Sequence, residues 1–350
     1  MAASDQNADR GMPQGIDEKP GVIQRRWGDQ TSLSAPGSSK KPEVNTPMVS
    51  YLAMAPKWDI IDTVLGGTST MRQAGEKYLP KHQYESAEAY KERLSRATLK
   101  NYTLRTLENL TSKAFRDPPL LNDDVPEQIV KLLEDVDTEG NSFLVFSRMW
   151  FRSSIQRAFG FVLVDHTRAL PIAGRERTLE DDRQEGVRPF WRFIDAADML
   201  FLRAEKVKDK VHIVEARIRE WETSPDGWGV KTVERIRVLK PGEFELYEKQ
   251  VARKGAQPKW VSIDGGPMGL DYVPLVSFYT SKDGLAEGKP VLEDLAYLNV
   301  EHFQSSADQR SILTVARFPI LAVSGASNAD PNGEPVVIGP KKWLSVADPQ

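Results

Sequence analysis

Few groupings in this chain have the residue types and spacing for chemistry. Asp59 and Asp62 lie three apart in a helical stretch, and Glu293 and Asp294 stand together where a later helix begins. Two acids can hold a divalent ion or move protons, but acids at a helix start more often partner its dipole. A metal-dependent nuclease would need clustered acids with a lysine on adjacent strands. Asp195, Asp198, Glu205 and Glu215 with Lys208 or Lys210 are the residues available for that, and no recognised spacing joins them. His82, His166, His212 and His302 are far apart, with no HExxH and no His-x-His pair. Gly66-Gly67 lies in LGGTSTMRQ, which lacks the Gly-Lys-Ser/Thr that cradles phosphate. GxGxxG and GxSxG are absent too. With no cysteine, disulfides, zinc-thiolate sites and a thiol nucleophile are excluded. The sequence therefore nominates no catalytic, cofactor-binding or metal-binding residue, and the expectation is a protein that is not an enzyme and takes no cofactor.

The chain has 350 residues, 40% hydrophobic and 28% charged, enough for roughly two ordinary domains with a real core. Its formal net charge of −3 argues against a surface that coats nucleic acid, which would carry a basic excess. Lys91, Arg93, Arg96, Lys100, Arg105, Lys113 and Arg116 spread along one helical stretch. They could face DNA, or simply water. No run approaches the roughly 18 apolar residues of a membrane span, and the N-terminus lacks a signal peptide's apolar core.

Residues 1–47 read as a disordered arm rich in Gly, Pro, Ser, Gln and Asp, with order beginning near Met48. Helical spacing follows over 57–66, ended by Gly66-Gly67, and again over 69–76. The strongest periodicity predicts one helix over 87–115, with Ser86 as its cap and Asn101 a polar residue at the edge of the apolar stripe. Asp124 to Glu127 resemble a capping box for a helix that buries Ile129, Leu132, Leu133 and Val136. A further helix from Ser142 to about Gly160 leads into the strand 161–165. Residues 168–188 form a charged loop. Strands are expected at 190–194, 198–205, 210–221, 228–239 and 243–251, then at 273–279, with turns at Lys-Asp-Lys, Pro-Asp-Gly and Lys-Pro-Gly. Alternation over 210–221 suggests an antiparallel meander with one covered face. A long helix from about Pro290 marks its buried side with Leu292, Leu295, Leu298, His302, Phe303 and Leu313. Strands at 317–325 and 334–346 flank the turn 330–333. The abrupt stop after a strand suggests that a C-terminal part is missing. The fold class is α+β.

The order of these elements resembles the portal proteins of tailed double-stranded DNA bacteriophages. The likeness rests on WDIIDTVLGGTSTMRQAGEKYLPK (58–81), EAYKERLSRATLKNYTLRTLENLTSKAFRDPP (88–119), GNSFLVFSRMWFRSSIQRAFGFVLVD (140–165) and RPFWRFIDAADMLFLR (188–203). It continues through 269–325, where a strand and a Gly-rich joint lead to a Leu-Glu-Asp-Leu helix start and Ser306-Ala307-Asp308. It covers residues 50–346 and consists of many weak matches in order. The resemblance implies a wing-like α+β domain over 48–290, a first stem-like helix over 291–316 and the start of a clip-like region over 317–350. It implies a dodecameric ring at the portal vertex of the capsid in the virion, assembled in the host cytoplasm. Double-stranded DNA would pass through it, independent of sequence, during packaging and ejection. The expected partners are the major capsid and scaffold proteins, the terminase large subunit and the head-completion or adaptor proteins of the head-tail connector. The alternatives are another minor head or connector protein, or a metal-dependent DNA enzyme.

Overall fold

A computed structural model describes residues 43–167, 174–250, 257–317, 321–324 and 343–346. It is mixed α and β with antiparallel sheets, as the patterning predicts. Residues 1–42 of the proposed arm lie outside the described residues; its last residues, 43–47, are described and held in place. Val44 packs on a core cluster, and the Met48 amide donates to the Leu200 carbonyl at 2.9 Å.

Helix α1 (Val49–Leu65) starts earlier than the spacing at 57–66 suggests and runs through Pro56. Met54, Trp58, Ile61 and Val64 form a buried stripe that outweighs the amide lost at the proline. Gly67, with φ +80°, turns the chain into α2 (Gly67–Ala74).

The single helix expected over 87–115 is two, α3 (Ala87–Arg96) and α4 (Tyr102–Ala114). Between them the Ala97 carbonyl accepts from Arg72 Nε at 3.0 Å, and the Leu99 amide donates to Thr68 Oγ1 at 3.1 Å. Contacts to α2 thus replace the helical bonds. Asn101 is not an edge residue: its Oδ1 caps α4 through the Leu104 amide at 2.8 Å, while its Nδ2 donates to the Val64 carbonyl at 2.6 Å.

Helix α5 (Glu127–Glu134) begins after Pro126 without the expected side-chain cap, and Ile129 is exposed. Helix α6 (Phe143–Arg157) stops at Ala158, whose φ of +78° is left-handed, two residues before the expected Gly160.

Strand β1 (Phe159–His166) is the centre of a three-stranded antiparallel sheet, between β2 (Pro189–Ile194) and β8 (Leu275–Tyr279). Of the charged stretch joining β1 to β2, residues 168–173 lie outside the described residues. The rest includes α7 (Leu179–Gln184), opened by a capping box between Thr178 and Asp181. The meander is β3 (Met199–Val207), β4 (Lys210–Asp226), β5 (Gly229–Lys240), β6 (Glu243–Gln250) and β7 (Lys259–Pro267), paired in chain order. The apolar pattern left β7 unassigned because its residues are mostly exposed.

The two sheets meet through Phe161, Leu163 and Ile194 on one side and Met199, Ala216, Ile218 and Leu239 on the other, with Trp58 of α1 against them. The covered face of β4 also carries Glu220, only 8% exposed. Its carboxylate accepts from Arg237 Nε of β5 at 2.6 Å and lies 3.2 Å from Arg192 of β2. Arg237 in turn reaches Asp165 of β1 at 3.7 Å. A chain of alternating charge therefore ties one sheet to the other.

Helix α8 (Glu293–Ala316) lies on α1 and the α2–α3 region, burying Ala296, Val300, Phe303 and Ala307 against Ile61, Val64, Met71 and Leu79. Of the residues expected on its buried side, Leu292 and Phe303 are buried and Leu295 is partly buried. Leu298 and Leu313 face out because alanines let the helices approach closely. Strands β9 (Leu321–Ser324) and β10 (Trp343–Val346) pair in parallel. They are therefore not the two arms of a tight hairpin, which would be antiparallel; the turn 330–333 lies outside the described residues.

Glu220→Ala leaves Arg237 with a lost partner inside the sheet interface. The expected cost is about 3 kcal/mol, read as a fall in the urea unfolding midpoint against wild type. An unchanged midpoint would show that the charge chain does not hold the sheets.

Candidate functional site

The acids that could have formed a metal or acid-base centre are each committed to a neighbour. Asp59 accepts from the Tyr78 hydroxyl at 2.7 Å and pairs with Lys77. Burial pushes its carboxyl up, and the Lys77 and Tyr78 hydrogen bonds more than offset that, leaving it below the usual carboxylate range. The Tyr78 hydroxyl is driven up by burial and by this carboxylate. Asp62, one turn on, accepts from Gln156 Nε2 and from Arg157 Nη1, each at 2.6 Å. Glu293 lies 3.8 Å from Lys57, and Asp294 lies 2.8 Å from Lys289.

The nuclease candidates fare the same way. Asp195 caps the short turn after β2 through the Ala197 amide at 2.8 Å and accepts from Ser153 Oγ at 3.0 Å. Asp198 lies 3.4 Å from Arg219, and burial together with Asp195 raises its carboxyl. Glu205 is 2.7 Å from Arg203, and Glu215 is 2.7 Å from Arg217. Lys208 sits in the β3–β4 turn, at φ +47°. Asp195 and Asp198 are thus neighbours, while Glu205 and Glu215 face other cations. Among the described residues, no three His, Cys, Asp or Glu side chains are grouped to hold a metal ion.

The basic residues along 91–116 do not make one DNA-facing row. Arg93 is 5% exposed. Its Nη2 donates to Glu85 at 2.7 Å and to the Pro80 carbonyl at 2.7 Å, and its Nη1 donates to Asp308 of α8 at 3.0 Å. Arg96 pairs with Glu92 at 2.5 Å and donates to Thr314 of α8 at 3.2 Å. Lys91, Lys100, Arg105 and Lys113 are exposed.

The histidines are scattered as their spacing implies. His82 lies 3.3 Å from Asp308, and His166 Nδ1 lies 2.9 Å from the Thr167 carbonyl. His302 packs edge-on against Tyr102 at 5.8 Å, its Nδ1 buried without a partner among the described residues. His212 is exposed.

What these side chains build is a polar seam along α8. From its N-terminal half, Asn299 accepts from the Thr103 amide and hydroxyl, both at 3.1 Å, and donates to the Lys100 carbonyl at 2.8 Å. Further along, Gln304 donates to the Tyr78 carbonyl at 2.9 Å, and Arg310 to the Arg96 carbonyl at 3.0 Å. The seam satisfies backbone groups left open where α3 and α4 separate, and it fixes the register of α8. Sequence reasoning missed Asn299. The available signal was a polar residue in the slot between Ala296 and Phe303.

The opposite side of α8 presents Tyr297, Leu298, Ile312 and Leu313 to solvent. Among the described residues, no helix is long and apolar enough to cross a membrane.

A family model described as a domain of unknown function (DUF4055) matches residues 291–350, the segment holding α8, β9 and β10. That domain is found in phage-associated proteins. No curated protein matches the chain.

Arg93 holds the Glu85 carboxyl at about 2, against an ordinary 4.5 and against the upward push of burial. Because the folded value is the lower one, this pair stabilises fully above about 4.5 and loses that contribution as pH falls towards 2. Glu85→Gln is therefore expected to unfold at lower urea than wild type at pH 7, with the gap closing between pH 4.5 and 2. A gap independent of pH would show that Glu85 acts by packing alone.

Proposed function

We propose that this chain is a structural subunit of a phage portal ring, the conduit for genome packaging and ejection and the docking site for terminase and head-tail connector proteins. The observation that carries this reading is the match of 291–350 to a domain found in phage-associated proteins, on the segment where the stem-like helix was expected. The geometry of α8 supports it. One side of the helix is packed through Ala296, Val300, Phe303 and Ala307, while the other carries exposed apolar residues such as Leu298 and Ile312. A subunit that contributes one helix to a shared wall needs an anchored side and a free side.

Electrostatics point the same way. A channel must let DNA slide, so it should not grip phosphate strongly, and a chain with a net charge of −3 whose arginines are largely paired internally meets that requirement. The candidate acids of the enzyme alternative are held by cations of the same chain, which favours an architectural role for them. On this reading, twelve copies close around an axis. Capsid and scaffold proteins surround them, and the terminase large subunit supplies the ATP chemistry from outside.

Negative-stain imaging of the chain, with a magnesium-dependent DNA cleavage assay on the same sample, tests the reading. Rings with a central hole and no cleavage are expected. Unringed assemblies with the capsid partners present would favour another head component, and compact monomers that cut DNA would overturn the architectural reading.

A further inference from the structure

The β4–β5 ribbon outruns the sheet it belongs to. Pairing of β3 with β4 ends at Met199↔Ile218, and pairing of β6 with β5 ends at Arg235↔Glu248. The β4–β5 register nevertheless continues from Trp221↔Glu234 to Asp226↔Gly229. Among the described residues, this outer part is a two-stranded ribbon open at both edges. Six residues per strand reach about 20 Å. A lone ribbon is marginal in water; here the Thr223–Thr232 hydroxyl contact at 3.3 Å and the Arg235–Glu222 pair at 3.4 Å brace it, and Lys249 of β6 holds Glu234 at its base at 2.7 Å. At its tip Trp228 is fully exposed at 109%, with Val230 nearby at 74%, and at its base Trp221 is exposed at 59%. Three large apolar residues on a projecting arm are the composition of an interface anchor.

The same chain carries a surface of matching chemistry. On the outer side of α6, Leu144, Val145 and Met149 are exposed in adjacent rows one turn apart, with Arg148 among them. The Arg148 guanidinium has no ion pair among the described residues, and neither has the Asp226 carboxylate beside the ribbon's turn. One arm and one distinct patch are what a head-to-tail contact between identical copies requires.

We propose that the ribbon tip of one copy docks on the α6 face of the next. Trp228 and Val230 cover Leu144, Val145 and Met149, and Asp226 meets Arg148. The contact deepens the ring reading and rests on it. One tryptophan buries about 150–250 Å², against roughly 800 Å² per partner in a stable interface, so the ribbon is a clasp within a larger contact. A lipid surface fits the arm less well, because Glu222 and Asp226 flank its tryptophans and anionic headgroups would repel them.

A photo-crosslinking amino acid in place of Trp228, in an equal mixture of isotopically light and heavy chains, reads the contact directly. Mixed-isotope crosslinks to the peptide holding 144–149 are expected. Asp226→Arg and Arg148→Asp should each weaken assembly about tenfold, and the double reversal should restore it. Both positions are exposed, so circular dichroism of each variant should match wild type. Rings that persist in both single variants, with crosslinks elsewhere, would overturn the clasp and leave the ring reading standing. A wild-type chain that stays monomeric with capsid partners present would end both. Flotation with vesicles of phosphatidylcholine and phosphatidylglycerol, lost in Trp228→Ala, would assign the arm to a membrane and overturn the clasp.

Discussion

The joint between the helices and the sheets turns on one arginine. Arg157, the last residue of α6, lies over the Trp58 ring at 5.9 Å, and its Nη1 donates to Asp62 at 2.6 Å. Its Nε stands 3.0 Å from the Asp195 carboxylate, close enough for an ion pair though not aligned as a hydrogen bond. Trp58 Nε1 returns a hydrogen bond to the Arg157 carbonyl at 2.9 Å. α1, the end of α6 and the turn after β2 therefore share one largely buried cation. From that point the chain turns through the left-handed Ala158 into β1, where the Thr280 hydroxyl, just past β8, donates to the Ala158 carbonyl at 3.1 Å. The directions of the central strand and of the sheet edge beside it follow from this joint. Removing the guanidinium would leave two carboxylates facing each other in a half-dry space, which is why a single cation there has such reach.

The same economy governs the candidate acids. Asp62, Asp195, Asp198 and Glu220 are placed where elements meet, and each is answered by an arginine from another part of the chain. The arginines at these joints and at the α3–α8 contact are bound inward. The charges at these joints are paired within the chain, while α6, α8 and the β4–β5 tip each expose apolar side chains. That distribution suits a part built to meet other proteins.

Much of the meander was readable, because its turns depend on local chemistry. Lys208-Asp209, Gly227 and Gly242 take the positive φ that tight turns need, and asparagine, aspartate and glycine advertise such positions. The break at Ala97–Asn101 was not readable. Asn101 becomes a cap only because α1 offers the Val64 carbonyl to its amide, and sequence spacing holds no trace of a partner 37 residues away. The face of α8 was legible at Leu292 and Phe303 but not at Leu298 and Leu313: hydrophobicity favours leucine, whereas close packing on α1 favours Ala296 and Ala307. The candidate acids were visible as residue types. Their neutralisation was not, since Asp62 finds its arginine 95 residues later in the chain. The direction of the β9–β10 pair likewise depends on long-range geometry rather than on any turn motif.

An architectural subunit differs from an enzyme in where its working surface lies. Here several joints are closed by the chain's own charges, and its exposed apolar features are separate and dissimilar, which fits the proposed head-to-tail assembly. Native mass spectrometry of the chain tests this most directly. The account predicts one dominant species at a fixed integer multiple of 39.3 kDa, unchanged as concentration rises. A 39.3 kDa monomer at every concentration, with the capsid shell protein present, would contradict it.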